Sequence, residues 1–197
     1  TTSVKNDRKM NSEQYYTTFL PYDLKLKNMK IFYIEQSSDK LVGFKEQSIS
    51  QLPALQAAVV LAETTGTPLS CGETKVHKTI DITDRGAIEG AHTGSDKHTI
   101  FGSLKYLKEG DAEDLYIMQG ATTEFPMGTF KQITDNQGAY DNADIEKRYC
   151  VLPMRAYLKA SAAPSREILG VQIHGLDGST TAVERLIIDA DDEVKIF

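Results

Sequence analysis

The 197-residue chain has no tryptophan and only two cysteines, and none of its apolar runs is long. A helix that crosses a bilayer needs about 18 or more consecutive apolar residues. The longest run here, Ala57 to Ala62, is the size of a strand, so no membrane span is expected. Cys71 and Cys150 stand too far apart for a zinc knuckle or a Cys-x-x-Cys redox motif. They are compatible with one disulfide or with two separate buried thiols, and the thiols are the plainer reading. Phosphate-binding G-x-x-x-x-G-K-S/T and G-x-G-x-x-G loops are missing, as are the G-x-S-x-G nucleophile elbow and the H-E-x-x-H zinc motif. Neither catalysis nor a cofactor is expected.

Positive charge is also scarce. The formal net charge is −6, which repels nucleic-acid phosphates unless a local basic patch intervenes. The densest basic stretches are Lys5, Arg8 and Lys9, offset by Asp7, and Lys25, Lys27 and Lys30, interrupted by apolar residues. Both read as ordinary solvated surface, and no nucleic-acid partner is expected.

Short strands and frequent turns fill the chain. Residues 1–12 are polar and read as a loose arm or a leading edge strand. From Tyr15 the aromatic and β-branched content rises: Tyr15 to Leu20 forms a strand closed by Pro21. Met29 to Gln36 follows, then a turn at Ser37–Lys40, and Leu41 to Phe44 returns. Ala57 to Ala62 reads as a buried strand, because Pro53 and the Gly66/Pro68 region leave too little length for a helix. Val76 to Ile82 alternates with period two. Residues 84–97, rich in Gly, Asp, Ser and Thr, read as a long loop dividing two halves. Strands then recur at Ile100, Leu115, Met127, Tyr149, Ala156, Ile168 and Ala182. No helical periodicity is sustained. The fold class is all-β, an antiparallel sandwich or barrel-like sheet over residues 13–197, with two similar lobes at 13–83 and 98–197.

A faint repeat runs through these lobes. Tyr33-Ile34-Glu35-Gln36, Phe44-Lys45, Leu52-Pro53 and an Ala-rich strand have counterparts in Tyr116-Ile117-Met118-Gln119, Phe130-Lys131, Leu152-Pro153 and Ala156 to Ala160.

The text Phe19-Leu20-Pro21-Tyr22-Asp23, Phe32-Tyr33-Ile34, Gln56 to Leu61, Leu115 to Met118, Gly128 to Lys131 and Pro153-Met154-Arg155-Ala156-Tyr157-Leu158 resembles a known family. It is similar to the β-rich C-terminal region of Bacteroidetes secreted and cell-surface proteins, some with leucine-rich repeats upstream. The resemblance covers most of residues 15–160. It departs at Leu55-Gln56-Ala57 and at Ile100-Phe101-Gly102-Ser103. What it implies is an exported, surface-attached protein with an adhesive role and no catalytic residues.

Few residues stand out as chemical candidates. His92 and His98 share a loop-like stretch but lack metal-site spacing, and surface histidines are the plainer reading. The acidic groups around Asp135, Asp141, Asn142 and Asp144, and Asp189, Asp191, Asp192 and Glu193, do not fit an EF-hand. There are nine tyrosines. Tyr140, in a polar loop, is the aromatic best placed to touch a ligand, whereas Tyr15, Tyr33, Tyr116 and Tyr157 read as core. The expected function is a non-catalytic extracellular module for cell adhesion or protein–protein contact, with a host or microbial surface protein or glycan as partner. The alternative is a carbohydrate-binding accessory domain, which aromatics lining one groove would favour.

Overall fold

A computed structural model describes residues 2–76, 87–89, 97–107, 110–112, 114–121, 123, 126–133, 150–163 and 166–180. Among the described residues there are strands and turns and no helix; none is therefore long and apolar enough to cross a membrane. In chain order the strands are β1 (Thr2–Val4), β2 (Tyr15–Thr18), β3 (Leu24–Lys25), β4 (Met29–Ser37), β5 (Leu41–Glu46), β6 (Gln51–Leu52) and β7 (Ala58–Ala62). They continue with β8 (Cys71–Thr74), β9 (Ala87–Glu89), β10 (His98–Ser103), β11 (Leu115–Gln119), β12 (Thr129–Gln132), β13 (Arg155–Ala160) and β14 (Ile168–His174). The stretch read from sequence as a loop, 84–97, thus contains β9, which pairs with β10 at the sheet edge.

Ten strands form one sheet in the order β2-β7-β4-β5-β14-β12-β11-β13-β10-β9. Its first nine curl into a nearly closed, mixed barrel. The curl brings the end of β2 back against β13: the Phe19 N–H donates to the Met154 carbonyl at 3.3 Å. The Phe19 ring then lies flat against Gly102 of β10, where a Cβ would stand only 1.9 Å from ring carbons. Glycine is required there by contact, not by backbone angle.

The barrel is built from two copies of one four-stranded unit. β2, β4, β5 and β7 lie in the order β2-β7-β4-β5, all neighbours antiparallel. β10, β11, β12 and β13 lie in the matching order β10-β13-β11-β12, again antiparallel throughout. The register matches as well. Phe32 faces Val59 and Ile34 faces Phe44; Tyr116 faces Leu158 and Met118 faces Phe130. The Gln47 N–H donates to the Ile31 carbonyl at 2.8 Å, and the Ile133 N–H to the Leu115 carbonyl at 2.7 Å. The Leu55 N–H reaches the Leu20 carbonyl at 2.8 Å, and the Met154 N–H the Ser103 carbonyl at 2.7 Å. Both donors hold left-handed backbones, with φ 60° at Leu55 and 58° at Met154. Tyr15 packs on Phe32 with centroids 5.7 Å apart; His98 packs edge-on to Tyr116 at 5.5 Å.

This correspondence keeps the Phe44/Phe130 match of the sequence repeat but shifts its tyrosine and Leu-Pro matches by one residue. Phe32, not Tyr33, matches Tyr116, and Leu52 matches Val151, so the two Leu-Pro pairs are out of step. Because side chains alternate faces along a strand, a one-residue shift exchanges inside for outside. Among the described strands, the one parallel pair also follows from the repeat. β5 and β12 run in opposite directions, so a strand between them must be parallel to one and antiparallel to the other. β14 is parallel to β5 and antiparallel to β12.

Three apolar clusters are found among the described residues. Phe19, Phe32, Ile34, Phe44, Tyr116, Phe130, Leu158 and Ile173 occupy the barrel interior, and Phe44 stacks on its counterpart Phe130 at 5.8 Å. A second cluster around Leu20, Tyr22, Leu24, Ile31, Leu52 and Val60 lies outside the first unit, beneath the β1-β8 and β3-β6 ribbons. A third, around Leu107, Leu115, Ile133, Val151 and Tyr157, lies outside the second unit. β4 and β7 therefore bury both faces, which explains why Ala58 to Leu61 is a continuous apolar run. Each fully buried large side chain contributes on the order of 1.5–3 kcal/mol.

Of the two readings of residues 1–12, the edge strand is the one found. β1 pairs with β8, and Met10 is fully buried and doubly bonded to Gly66 at 2.8 and 3.0 Å. Cys71 is half-buried in β8 and Cys150 is buried, and the two are not bonded to each other in this structure. Both lobes share one sheet, joined through β14.

Candidate functional site

β11 pairs with β13 only through Leu115 and Tyr116. Beyond that point the two strands diverge, and β2 approaches from the other side without completing the ladder. The result is a cleft of about 650 Å³ at the barrel seam. Its walls come from Tyr15, Tyr16 and Thr17 of β2, from Ile117 to Ala121, and from Cys150 to Leu152 with Arg155 and Ala156. Arg8 enters over the rim.

Arg8 reaches the cleft because its segment is tied down. The Asn6 side-chain amide donates to the Tyr22 hydroxyl at 3.1 Å, and its carbonyl oxygen accepts the Arg8 N–H at 3.0 Å. The Tyr22 hydroxyl in turn donates to the Leu69 carbonyl at 2.8 Å. Asn6 also exchanges two 2.9 Å backbone hydrogen bonds with the Ser70 hydroxyl. The Arg8 guanidinium then donates to the Thr17 carbonyl at 2.7 Å and sits 5.4 Å from the Tyr16 ring centroid. That ring face attracts a cation.

Arg155 lies at the start of β13, directly after the left-handed Met154, and donates to the Pro153 carbonyl at 3.2 Å. Burial, and then the positive charge of Arg155, push the Arg8 guanidinium down to about 9; the Tyr16 hydroxyl acts weakly the other way. Burial alone pushes Arg155 down to about 10. Both remain cations at neutral pH, half-buried at the cleft. Among the described residues, neither guanidinium has an ion-pairing carboxylate.

Of the described residues singled out from the sequence as candidates, Cys150 and Tyr15 line the cleft and the others do not. Tyr140, His77, His92 and both acidic groups fall outside the described residues. His98 is buried at the barrel edge of β10, where burial holds its imidazole below the usual range. His174 ends β14, its Nδ1 3.4 Å from the Thr180 hydroxyl. Cys150 contributes to the cleft wall and Cys71 does not. Tyr15, read as core, both packs on Phe32 and lines the cleft. No group of three metal-ligating side chains occurs among the described residues. Sequence reasoning missed Arg8, treated as solvated surface, and Arg155, noticed only as part of the strand text around Tyr157. Comparison with protein families, curated proteins and solved structures gave no match.

Proposed function

We propose that this chain is a non-catalytic binding module of an exported surface protein, contributing to adhesion or protein–protein contact, and that its ligand occupies the seam cleft. The carrying observation is the cleft itself: a concavity of about 650 Å³ on a side-chain-filled barrel. Pockets that take small ligands run from about 300 to 1,000 Å³ and combine apolar walls with a few convergent polar groups. Met118, Ile117 and Val151 supply the apolar wall here, and the arginines, Gln14 and Gln119 the polar groups.

Tyrosine at the cleft wall suits the carbohydrate form of this reading. Tyr15 and Tyr16 both line the groove, from opposite faces of β2, and aromatic rings offer sugars an apolar face with a polar edge. An array of host glycans, microbial polysaccharides and matrix proteins tests both forms. Gly120→Trp supplies the control, because a Cβ at Gly120 meets nothing within 4 Å and the indole can fill the cleft. Saturable binding that Gly120→Trp abolishes supports the cleft, with sugars or matrix proteins deciding the class. Binding that survives the plug places the ligand elsewhere and rejects this reading.

A further inference from the structure

We propose that Arg8 and Arg155 together form an oxyanion subsite of the seam cleft, suited to a carboxylate, sulfate or phosphate group on the ligand. The proposal rests on the cleft being the ligand site and specifies its chemistry.

Three observations carry it. First, Arg8 and Arg155 line one concavity, and among the described residues each guanidinium makes one hydrogen bond, to a backbone carbonyl: Arg8 to Thr17 and Arg155 to Pro153. A guanidinium carries five N–H donors in a planar fork, so each retains donors for a bidentate partner. Like charges in one partly desolvated cleft repel, and an oxyanion between them removes that repulsion.

Second, the fold does not need a cation at this place. The matched registers of β7 and β13 align Arg155 with Gln56 of the first unit. Gln56 is a buried neutral amide that donates to the Ala57 carbonyl at 3.1 Å. The same turn and strand are therefore built without charge in one unit and with it in the other. The cation stands only on the side of the barrel where the cleft opens.

Third, Arg8 is positioned by a dedicated set of contacts. The Asn6 links to Tyr22 and Ser70, the Tyr16 ring and the Thr17 carbonyl fix a side chain that solvent would otherwise leave mobile. Holding a charged fork in one orientation reduces the entropy lost when it binds a ligand.

The experiment titrates the full chain with glucuronate, inorganic sulfate and inorganic phosphate, with glucose and sodium chloride at matched ionic strength as controls. Backbone amide shifts report the site. The expected result is saturable shifts at Thr17, Gln119 and Ala156 with at least one of the three oxyanions, and none with glucose or chloride. Which oxyanion binds tightest separates a carboxylate ligand from a sulfated or phosphorylated one. Arg155→Gln installs the residue the first unit already carries and should fold normally; it should weaken binding about tenfold or more, the loss of one charge-assisted pair. Arg8→Gln should do the same, and its thermal midpoint checks that the segment stays docked. Equal binding of glucose and glucuronate, oxyanion binding unchanged in both variants, or no saturable oxyanion binding overturns the subsite. If neutral array ligands are lost with Gly120→Trp but indifferent to Arg155→Gln, the subsite fails while the cleft stands. If oxyanions bind a plugged protein normally, the cleft itself fails.

Discussion

At the scale of single residues, the contacts that shape the barrel seam make sharp demands. Gly102 accepts the face of Phe19, and a methyl group there would overlap ring carbons. Phe19 is fully buried and cannot swing aside. Gly102→Ala should cost about 1–3 kcal/mol, the usual penalty for overpacking a filled core. Adding Phe19→Leu should recover part of that loss, and denaturant midpoints for the double-mutant cycle measure the coupling. Asn6→Ala removes the side-chain links to Tyr22 and to the Arg8 N–H while leaving the Ser70 links to its backbone. A loss of about 1–2 kcal/mol is expected, with amide exchange accelerating at residues 6–10 ahead of the core. Tyr157 gives a pH signature. Burial raises its phenol from 10.0 to about 12, so the folded protein holds the proton more tightly than the unfolded chain. Its contribution is fully present below pH 10 and is lost as pH rises from about 10 through 12. Tyr157→Phe should flatten that part of the alkaline unfolding curve; a curve of unchanged slope would rule Tyr157 out as a source.

At the scale of elements, the two units share a turn as well as a strand order. Leu55 and Met154 both adopt left-handed backbones just before β7 and β13, and each donates its N–H to a carbonyl at or just beyond the end of the unit's first strand, Leu20 after β2 and Ser103 of β10. Bulky residues pay for that conformation and β-branched ones fare worst. Leu55→Ile and Met154→Ile should each lower stability by about 1–2 kcal/mol, whereas Leu55→Met should change it by less than about 1.5 kcal/mol. Similar losses at the two positions, read from urea midpoints, would show that the turns do the same work in each unit. Elements of this kind were unevenly legible in the sequence. β4, β5, β10 and β14 were readable because short apolar and aromatic runs bounded by turn residues mark strands whatever their neighbours. The repeat was visible as composition, but its register was not. Tyr33 and Tyr116 look equivalent as letters, yet Tyr33 belongs to the outer cluster and Tyr116 to the barrel interior. β9 was hidden because pairing with β10, not its own composition, makes Ala87–Glu89 a strand.

At the scale of the whole molecule, the site was illegible for a related reason. Arg8 and Arg155 are far apart in the chain and come to line one cleft only because the sheet curls. Neither residue type nor spacing announces the pair; the departure from symmetry at Gln56 and Arg155 appears only once the strand registers are known. The same curl ties the two units into one body. The interior cluster draws Phe32, Ile34 and Phe44 from the first unit and Tyr116, Phe130 and Leu158 from the second, with Phe44 stacked on Phe130. β14 joins β5 to β12, and Phe19 seals the far side against Gly102. Neither unit can keep its inner face dry alone, since each supplies only half of a shared core. Unfolding should therefore be a single transition: calorimetric and van't Hoff enthalpies should agree, and the amides of β4 and β7 should lose protection together with those of β11 and β13. Phe130→Leu, costing on the order of 1–2 kcal/mol, should lower protection in both units by the same amount although the residue belongs to one. Two resolved transitions, or a loss confined to the second unit, would mean that the units fold separately and dock afterwards, and the cleft would then be an interface between two bodies instead of a gap in one barrel.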